Sequence, residues 1–341
     1  MERHITVIGA GIAGLWQALM LRQRGHRVRL VEQSPAEDPF ATTASRYAAG
    51  MLAPYCEEEG AEPIVRRLGE QSMGHWRLFD HLITHNGSLV VARARDRSEL
   101  ERFARLTSGH EWLDDDTLRA FEPDLAGRFS RALYFASEGH MAPRRVLAAI
   151  LAAFRALGGE EAFGVDASVP ETAGDGGGDW IIDCRGLGAR DDLDTLRGVR
   201  GEMAVLRTSE VSLTRPVRLL HPRFPIYVVP WADDTFMVGA TVIQSEDRGG
   251  VSARSMLELL GTAYALHPAF GEAEVVELGA DARPAFADNI PKIVQRGRRL
   301  YVNGMYRHGY LTAPALAEIT AGLIEGQPGP PEVVIEDRGQ H

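Results

Sequence analysis

The sequence predicts an α/β fold in which a discontinuous nucleotide-binding domain carries an inserted α+β domain with a mixed β-sheet. Three observations support this: a strand, helix and strand at residues 5–32, a similar strand, glycine turn and helix at 300–325, and β-rich sequence between them. At 341 residues the chain also exceeds the usual size of a single hydrophobic core. The predicted division is 1–84, 131–200 and 280–341 for the nucleotide-binding domain, and 85–130 and 201–279 for the inserted domain.

The first unit has the residues of a Rossmann-like dinucleotide-binding site. Gly9 allows a sharp turn after the strand, Gly11 leaves room for a pyrophosphate beside bare backbone, and Gly14 lets the helix pack closely on the sheet. The N-terminus of that helix presents unpaired N–H groups and a partial positive charge to the phosphates. Glu32 ends the second strand, where a carboxylate accepts hydrogen bonds from ribose hydroxyls. Together these features predict a bound dinucleotide.

The remaining elements follow from apolar periodicity and turn residues. Ser98 and Glu101 have the spacing of a capping box that opens a helix ending near Leu106, and Pro143 is expected in the first turn of a helix to Leu157. Other helices are predicted within 62–84, from Asp115, at 252–266 and from Pro314 to Glu325. Strands are predicted at 88–94, 132–136, 180–183, 201–207, 226–243, 274–278 and 300–303, and a polar glycine-rich loop at 172–179.

Composition excludes several classes of function. A formal net charge of -10 argues against nucleic acid or an anionic membrane surface as a partner, and no apolar run has the length of a membrane span. The N-terminus lacks a basic leader with a cleavage site. Cys56 and Cys184 show no metal or redox spacing, which predicts a cytoplasmic protein without a metal site. No pattern typical of metalloproteases or of covalent hydrolases is present.

Four passages resemble the D-amino-acid-oxidase-like flavoprotein family, and within it the glycine-oxidase branch linked to the thiamin thiazole pathway. They are residues 9–32, 48–52, 227–241 and 303–314, with Gly201-Glu202 and Arg283-Pro284 in addition. They occur in the right order and span nearly the full chain. The resemblance implies FAD as cofactor, hydride transfer from the Cα of an amine to flavin N5, and reoxidation by molecular oxygen with release of hydrogen peroxide.

The resemblance also implies individual cofactor contacts. Besides Gly9, Gly11, Gly14 and Glu32, it assigns them to Ile12, Ala13, Gln33, Ala44, Ser45, Ala49, Gly50, Met51, Val165, Met305, Tyr306, Arg307, His308, Gly309, Tyr310 and Leu311. The match at Val165 is loose. The final helix is expected to point its N-terminus at the isoalloxazine ring, where its amides meet the developing negative charge.

Four residues are expected to act on the substrate, by the same resemblance. Arg283 binds the substrate carboxylate, Tyr227 donates its hydroxyl, Arg307 assists, and Met51 flanks the reacting carbon. An arginine fork suits a buried carboxylate because two parallel N–H groups match its two oxygens. The alternative for Arg283 is an ion pair with Asp281 or another surface acid. Hydride transfer from a neutral amine needs no protein base, so histidines are expected to be surface or hydrogen-bonding residues.

Substrate and acceptor stay open at this point. The chain departs from the family at Met305, at His308 and after Pro284, where the usual residues are replaced. The main expectation is an oxidase of glycine or a small amino acid. The alternatives are a dehydrogenase of D-amino acids or sarcosine-type amines that uses another acceptor, a nicotinamide-dependent dehydrogenase, and an inactive flavin-binding subunit. The resemblance further implies a homo-oligomer and transfer of the imine to a thiazole synthase.

Overall fold

The computed structural model describes residues 1–166 and 179–337. The glycine-rich loop predicted at 172–179 therefore lies outside the described residues, except for Asp179. The helices in the described ranges are α1 (Ile12–Gln23), α2 (Pro63–Trp76), α3 (Arg97–Leu106), α4 (Asp115–Phe121), α5 (Pro143–Ala156), α6 (Ala253–Leu266) and α7 (Gly309–Ile324). None of these helices is long and apolar enough to cross a bilayer.

The strands of the described residues form three sheets. In chain order they are β1 (His4–Ile8), β2 (Arg27–Glu32), β3 (Met51–Leu52), β4 (Ile83–Thr84), β5 (Ser88–Ala92), β6 (Glu111–Asp114), β7 (Arg131–Phe135), β8 (Gly139–Met141), β9 (Glu160–Phe163), β10 (Trp180–Asp183), β11 (Arg197–Arg207), β12 (Val217–Leu220), β13 (Ile226–Pro230), β14 (Thr235–Gly239), β15 (Glu274–Ala285), β16 (Lys292–Arg296), β17 (Arg299–Asn303) and β18 (Val334–Glu336).

A seven-stranded sheet has the order β18-β16-β17-β10-β1-β2-β9. Strands β9, β2, β1, β10 and β17 run parallel, so their carboxyl ends meet at one edge. The main core packs α1, α2, α5 and α7 around this sheet, with the fully buried Trp16 of α1 in edge-to-face contact with Trp76. Because ligands bind beyond the carboxyl ends of parallel strands, this arrangement positions a site beside Gly9 and Asn303.

An eight-stranded mixed sheet has the order β15-β11-β14-β13-β12-β5-β7-β6. Its pairs are antiparallel except β12 with β5. Its strands come from residues 88–135 and 197–285, so Arg131–Phe135 pairs here although the predicted nucleotide-binding segment begins at 131. The division of the chain into two domains stays a prediction. A small sheet of β3, β8 and β4 completes the strands.

The predicted start of the last helix is wrong. We expected Pro314 at its first turn, but α7 begins at Gly309 and contains Pro314 in its interior. The Tyr310 carbonyl, which Pro314 leaves without an N–H partner, accepts from the Trp76 indole at 3.0 Å. The N–H of Ala315 donates to the Ser72 hydroxyl at 3.1 Å. Side chains of α2 thus replace the backbone hydrogen bonds around this proline.

Three further local predictions need correction. The capping box at Ser98 and Glu101 is absent, because α3 begins at Arg97 and its N-cap makes no side-chain hydrogen bond. The strand region 226–243 contains two strands, β13 and β14, joined by a tight turn with positive φ at Asp233 and Asp234. The strand expected at 274–278 continues to Ala285, since β15 pairs along β11 over its whole length. Arg283 therefore lies on a strand.

Candidate active site

One cavity of about 400 Å³ lies between the seven-stranded sheet, the eight-stranded sheet and the N-termini of α1 and α7. Its wall is formed by residues far apart in the chain, from Ile8 to Leu311. Two backbone contacts join the sheets at this point. Ala285 at the end of β15 bridges Met305, and the Tyr306 N–H donates to the Pro284 carbonyl at 2.9 Å. The substrate-side strand and the turn before α7 therefore form one continuous wall.

The glycine turn after β1 has no room for side chains. Gly9 has a φ of +96°, and a Cβ there would lie 2.7 Å from the Cys184 carbonyl oxygen. A Cβ at Gly14 would lie 1.7 Å from the Gly9 carbonyl oxygen, so α1 packs directly on the turn. At Gly11 a Cβ would lie 2.9 Å from the Thr43 hydroxyl. Bare backbone and the first amides of α1 thus face the cavity, as phosphate binding requires.

Glu32 ends β2 at the edge of the cavity and is buried. Its carboxylate accepts from the Ala10 N–H at 2.6 Å and from the Ser34 N–H at 2.8 Å. The Thr42 hydroxyl donates to it at 3.2 Å. Glu32 therefore holds the glycine turn and the segment at Thr42 together.

The segment from Thr42 to Met51 passes over the N-terminus of α1. The Thr43 hydroxyl caps the short helical turn that follows, and the Ser45 hydroxyl accepts from the Ile12 N–H at 3.0 Å. Gly50 has a φ of +75°, and a Cβ there would lie 2.1 Å from the Met141 carbonyl oxygen. Small residues are needed here because the backbone passes so close to its neighbours.

The turn from Gly304 to His308 forms the opposite end of the cavity. Gly304 has a φ of +75° and Tyr306 a φ of +49°. His308 is the N-cap residue of α7, and its carbonyl accepts from the Thr312 N–H at 2.8 Å. The first amides of α7 have no partner within the helix and belong to the cavity wall from Gly309 to Leu311. A helix N-terminus consequently points its positive end into the cavity.

Arg283 reaches this cavity from β15. Its guanidinium lies over Gly201, where a Cβ would be 2.0 Å from an arginine nitrogen, and it donates to the Thr241 carbonyl at 3.2 Å. Burial lowers the pKa of Arg283, while Tyr227 nearby opposes that change. No carboxylate of the described residues lies within 4 Å of this guanidinium, because Asp281 pairs with Arg248 at 2.6 Å instead. The alternative interpretation, in which Arg283 forms an ion pair with Asp281 or another surface acid, is therefore wrong for the residues that the structure describes.

The structure brings nearly all of the predicted site residues together. Tyr227, Met51, Arg307 and the cofactor-contact set line the cavity with Arg283, except for Gly14 and Val165. Gly14 lies behind the glycine turn. Val165 packs on Ile8 and Val31, and its neighbour Asp166 is in the wall instead. Among the described histidines, His26, His140 and His308 are buried.

Sequence reasoning missed several residues of the cavity wall. Glu57, Arg248 and Tyr47 line it, and Arg218 lies directly behind Glu57. Glu57 belongs to a run of three glutamates, which has the composition of a solvated surface. Arg248 lies in a loop and reaches both Asp281 and the Thr42 carbonyl. No local pattern distinguishes these residues from surface charges.

The cavity fits FAD at three points. The glycine turn offers bare backbone for the pyrophosphate, Glu32 lies where the ribose is recognised, and the N-terminus of α7 faces a separate end suited to an electron-accepting ring. In the described residues no group of three or more His, Cys, Asp or Glu side chains has the arrangement of a metal site.

Comparisons with known proteins agree with this geometry. Residues 4–323 match the family model described as DAO, FAD dependent oxidoreductase. A Rhizobium etli protein, provisionally named thiamine biosynthesis oxidoreductase ThiO, is 51% identical over 331 residues, covering 96% of this chain and 98% of its own. The bifunctional protein ThiO/ThiG of Synechocystis is 26% identical, covering 95% of this chain and 52% of its own.

A glycine oxidase of Geobacillus kaustophilus is 26% identical, with 94% of this chain and 92% of the relative covered. The crystal structure of glycine oxidase from that organism superposes with a TM-score of 0.79 over 96% of each chain, at 20% identity, which shows a common fold. The family match spans nearly all of the chain and includes both ends of the cavity. The chain therefore belongs to the DAO family of FAD-dependent oxidoreductases.

Proposed function

We propose that this enzyme oxidises glycine, or a similarly small amino acid, to its imine and passes the electrons to molecular oxygen. The observation that carries this proposal is the partly buried side chain of Arg283, whose guanidinium faces the cavity with no carboxylate partner among the described residues. A buried charge without a counterion is costly, and a substrate carboxylate supplies the missing partner. The relatives named glycine oxidase support the choice of a small amino acid.

The cavity residues have distinct roles in this proposal. Arg283 binds the substrate carboxylate through two N–H groups, and Tyr227 donates its hydroxyl to the same group. Arg307, exposed and next to the turn before α7, adds a second positive charge at the cavity mouth. Met51 limits the space beside the reacting carbon. Bound FAD supplies the acceptor for the hydride from Cα.

The reaction balances without a protein base at carbon. The neutral amine loses a hydride from Cα and a proton from nitrogen, which gives the imine. Water then converts the imine to glyoxylate and ammonia, while oxygen takes up two electrons and two protons to form hydrogen peroxide. Orientation by Arg283 and the positive end of α7 are the contributions of the chain.

We also propose that the imine serves thiamin thiazole formation and that the enzyme is a homo-oligomer. Relatives named for thiamine biosynthesis, and one in which ThiO is joined to ThiG, support a functional link to a thiazole synthase. Light scattering on the purified protein measures the oligomeric state.

An amine screen tests the proposed function. Purified protein is expected to be yellow, to release FAD on denaturation, and to be bleached anaerobically by glycine, sarcosine or a small D-amino acid. In air the same amine should consume oxygen and release peroxide. The kcat/KM should rise toward alkaline pH, because free glycine is mostly ammonium at neutral pH. Bleaching without peroxide release would indicate a dehydrogenase with another acceptor, and bleaching by bulky amines alone would refute the proposed substrate.

A further inference from the structure

A buried cluster of charges lies behind the substrate end of the cavity. The Arg218 guanidinium on β12 contacts the Glu57 carboxylate at 2.5 Å, and the exposed fractions of the two side chains are only 10% and 15%. Glu138, at 1% exposure, accepts from the Cys56 N–H at 2.8 Å and from the Ser88 hydroxyl. Of these three charged groups, only Glu57 lines the cavity.

The position of the cluster relates it to the proposed substrate residues. Arg218 stands directly opposite Tyr227 in the β12–β13 pair, so the two side chains leave the same face of the sheet. Arg283 precedes Pro284, whose carbonyl accepts from the Tyr306 N–H at 2.9 Å, so the turn before α7 contacts the strand of Arg283 and, through His308, also Glu57. The Nδ1 atom of His308 lies 3.3 Å from the second oxygen of Glu57.

Arg218 affects the pKa of both carboxyl groups in the cluster, Glu57 and Glu138. Burial raises the pKa of Glu138, while the positive charge of Arg218 opposes that change. Burial also opposes ionisation of Glu57, yet the positive charge of Arg218, with His308 and Arg307, holds the pKa of that carboxyl well below its usual range. Glu57 and Arg218 thus form a largely buried ion pair, and the positive charge of Arg218 partly offsets the negative potential of Glu57 at the cavity wall.

We propose that Arg218 is a positioning residue that holds Glu57 as a neutralised acceptor for the substrate amine. This inference rests on the proposed function, in which the amine must lose its proton before hydride transfer. A lone carboxylate beside the amine would stabilise the unreactive ammonium form. Paired with Arg218, Glu57 orients an N–H group of the amine without binding the ammonium preferentially.

The pH dependence of the limiting rate of anaerobic flavin reduction, at saturating glycine, tests this assignment. That rate reports the ionisation of the bound amine, whereas kcat/KM reports the free amine. Arg218→Met leaves the Glu57 charge without its partner. The midpoint of the pH profile of flavin reduction should therefore rise by about one pH unit. Glu57→Gln removes the carboxylate that pairs with Arg218 and should lower the midpoint of the same pH profile by about one unit. The kcat/KM midpoint should stay unchanged in both variants.

Three further variants separate the charge effect from damage to the fold. The double variant Arg218→Met with Glu57→Gln should return the midpoint to within about 0.3 units of the wild type, because both charges are gone. Arg218→Lys should retain most of the wild-type behaviour. The matched control is Arg215→Met, which removes the ion-pair partner of the buried Glu122 at 2.8 Å, away from the cavity, and should leave the midpoint unchanged.

A non-kinetic measurement accompanies the series. The dissociation constant of glycolate is measured from the flavin spectrum as a function of pH. The midpoint of this pH dependence should be the same in the variants and the wild type, because glycolate has a hydroxyl in place of the amine. If Arg218→Met does not fold, Glu57→Gln and the double variant decide the question. If the midpoints of flavin reduction in the variants coincide with that of the wild type, the inference about Arg218 is overturned. Turnover of glycine would still support the proposed function in that case. No turnover of any amine by the wild type would refute both.

Discussion

Arg283 combines two properties that rarely occur together in an arginine. It lies in a strand interior, and its guanidinium is desolvated without a carboxylate partner among the described residues. Gly201 on the neighbouring strand provides the space, since any side chain there would displace the guanidinium. The arginine is therefore held in position before a ligand arrives, which lowers the ordering cost of binding.

Substitutions of Arg283 test its proposed role in carboxylate binding. Arg283→Lys should mainly raise KM, because a point charge replaces a planar fork. Arg283→Ala should lower substrate binding by two to three powers of ten, which corresponds to about 3–5 kcal/mol. FAD content should stay normal in both variants. The control is Arg254→Ala, whose side chain is 75% exposed and should not change kinetics. Near-normal kcat/KM in Arg283→Ala would make the residue structural.

At the scale of elements, α7 depends on α2 for its first turns. Pro314 interrupts the backbone hydrogen bonds of α7, and Trp76 and Ser72 of α2 satisfy the groups left over. The ring of Trp76 also stacks on Tyr310 with centroids 6.4 Å apart. These contacts fix the helix end that lines the cavity. Sequence rules place proline at a helix start, and they failed here because the compensating donors and acceptors come from a distant helix.

Ser72→Ala tests whether the first turns of α7 depend on α2, because it removes only the hydroxyl oxygen that accepts from the Ala315 N–H. Ser72 is fully buried, so the Ala315 N–H would lose its partner and the free energy of unfolding should fall by about 1–3 kcal/mol. Urea unfolding at a fixed excess of FAD measures the change. The exposed Ser98, which makes no cap, provides the matched control, and Ser98→Ala should stay within about 0.5 kcal/mol of the wild type. Equal stability of the two variants would contradict the proposed support.

At the scale of the whole molecule, buried histidines make stability depend on pH. Burial lowers the pKa of His140 to about 4 from an ordinary value of 6.5, while a hydrogen bond to the Pro230 backbone opposes the change. Burial also lowers the pKa of His26, His110 and His267. At these four positions the unfolded chain therefore binds more protons than the folded chain below about pH 6.5, so their contribution to stability falls as the pH drops.

The contribution of His140 should be measurable by substitution. Its contribution to the free energy of unfolding, about 3 kcal/mol, is fully present above pH 6.5. It is lost as the pH falls toward 4, because the histidine is protonated first in the unfolded chain. His140→Gln keeps a donor for Pro230 but does not titrate in this range. The difference in melting temperature between pH 7 and pH 5 should accordingly be smaller in His140→Gln than in the wild type. An identical pH dependence would show that another group controls acid stability.

Local patterns predicted much of the fold and of the cofactor side of the site. Gly9, Gly11, Gly14 and Glu32 are close in sequence and belong to one strand, helix and strand unit, so their arrangement follows from spacing. The pair of Glu57 and Arg218 is separated by 161 residues and joins two different elements. Neither residue has a distinctive neighbourhood in the sequence, and only the assembled fold shows that they are buried together.

The origin of the cavity wall also affects how the protein is made. One end of the wall comes from residues 8–13 and the other from residues 302–311, so a growing polypeptide lacks part of the pocket until residue 311 has left the ribosome. Cofactor stabilises only chains that can bind it. FAD thus stabilises chains that extend past residue 311 over shorter ones, and a cell short of riboflavin should accumulate unfilled protein that is more readily degraded.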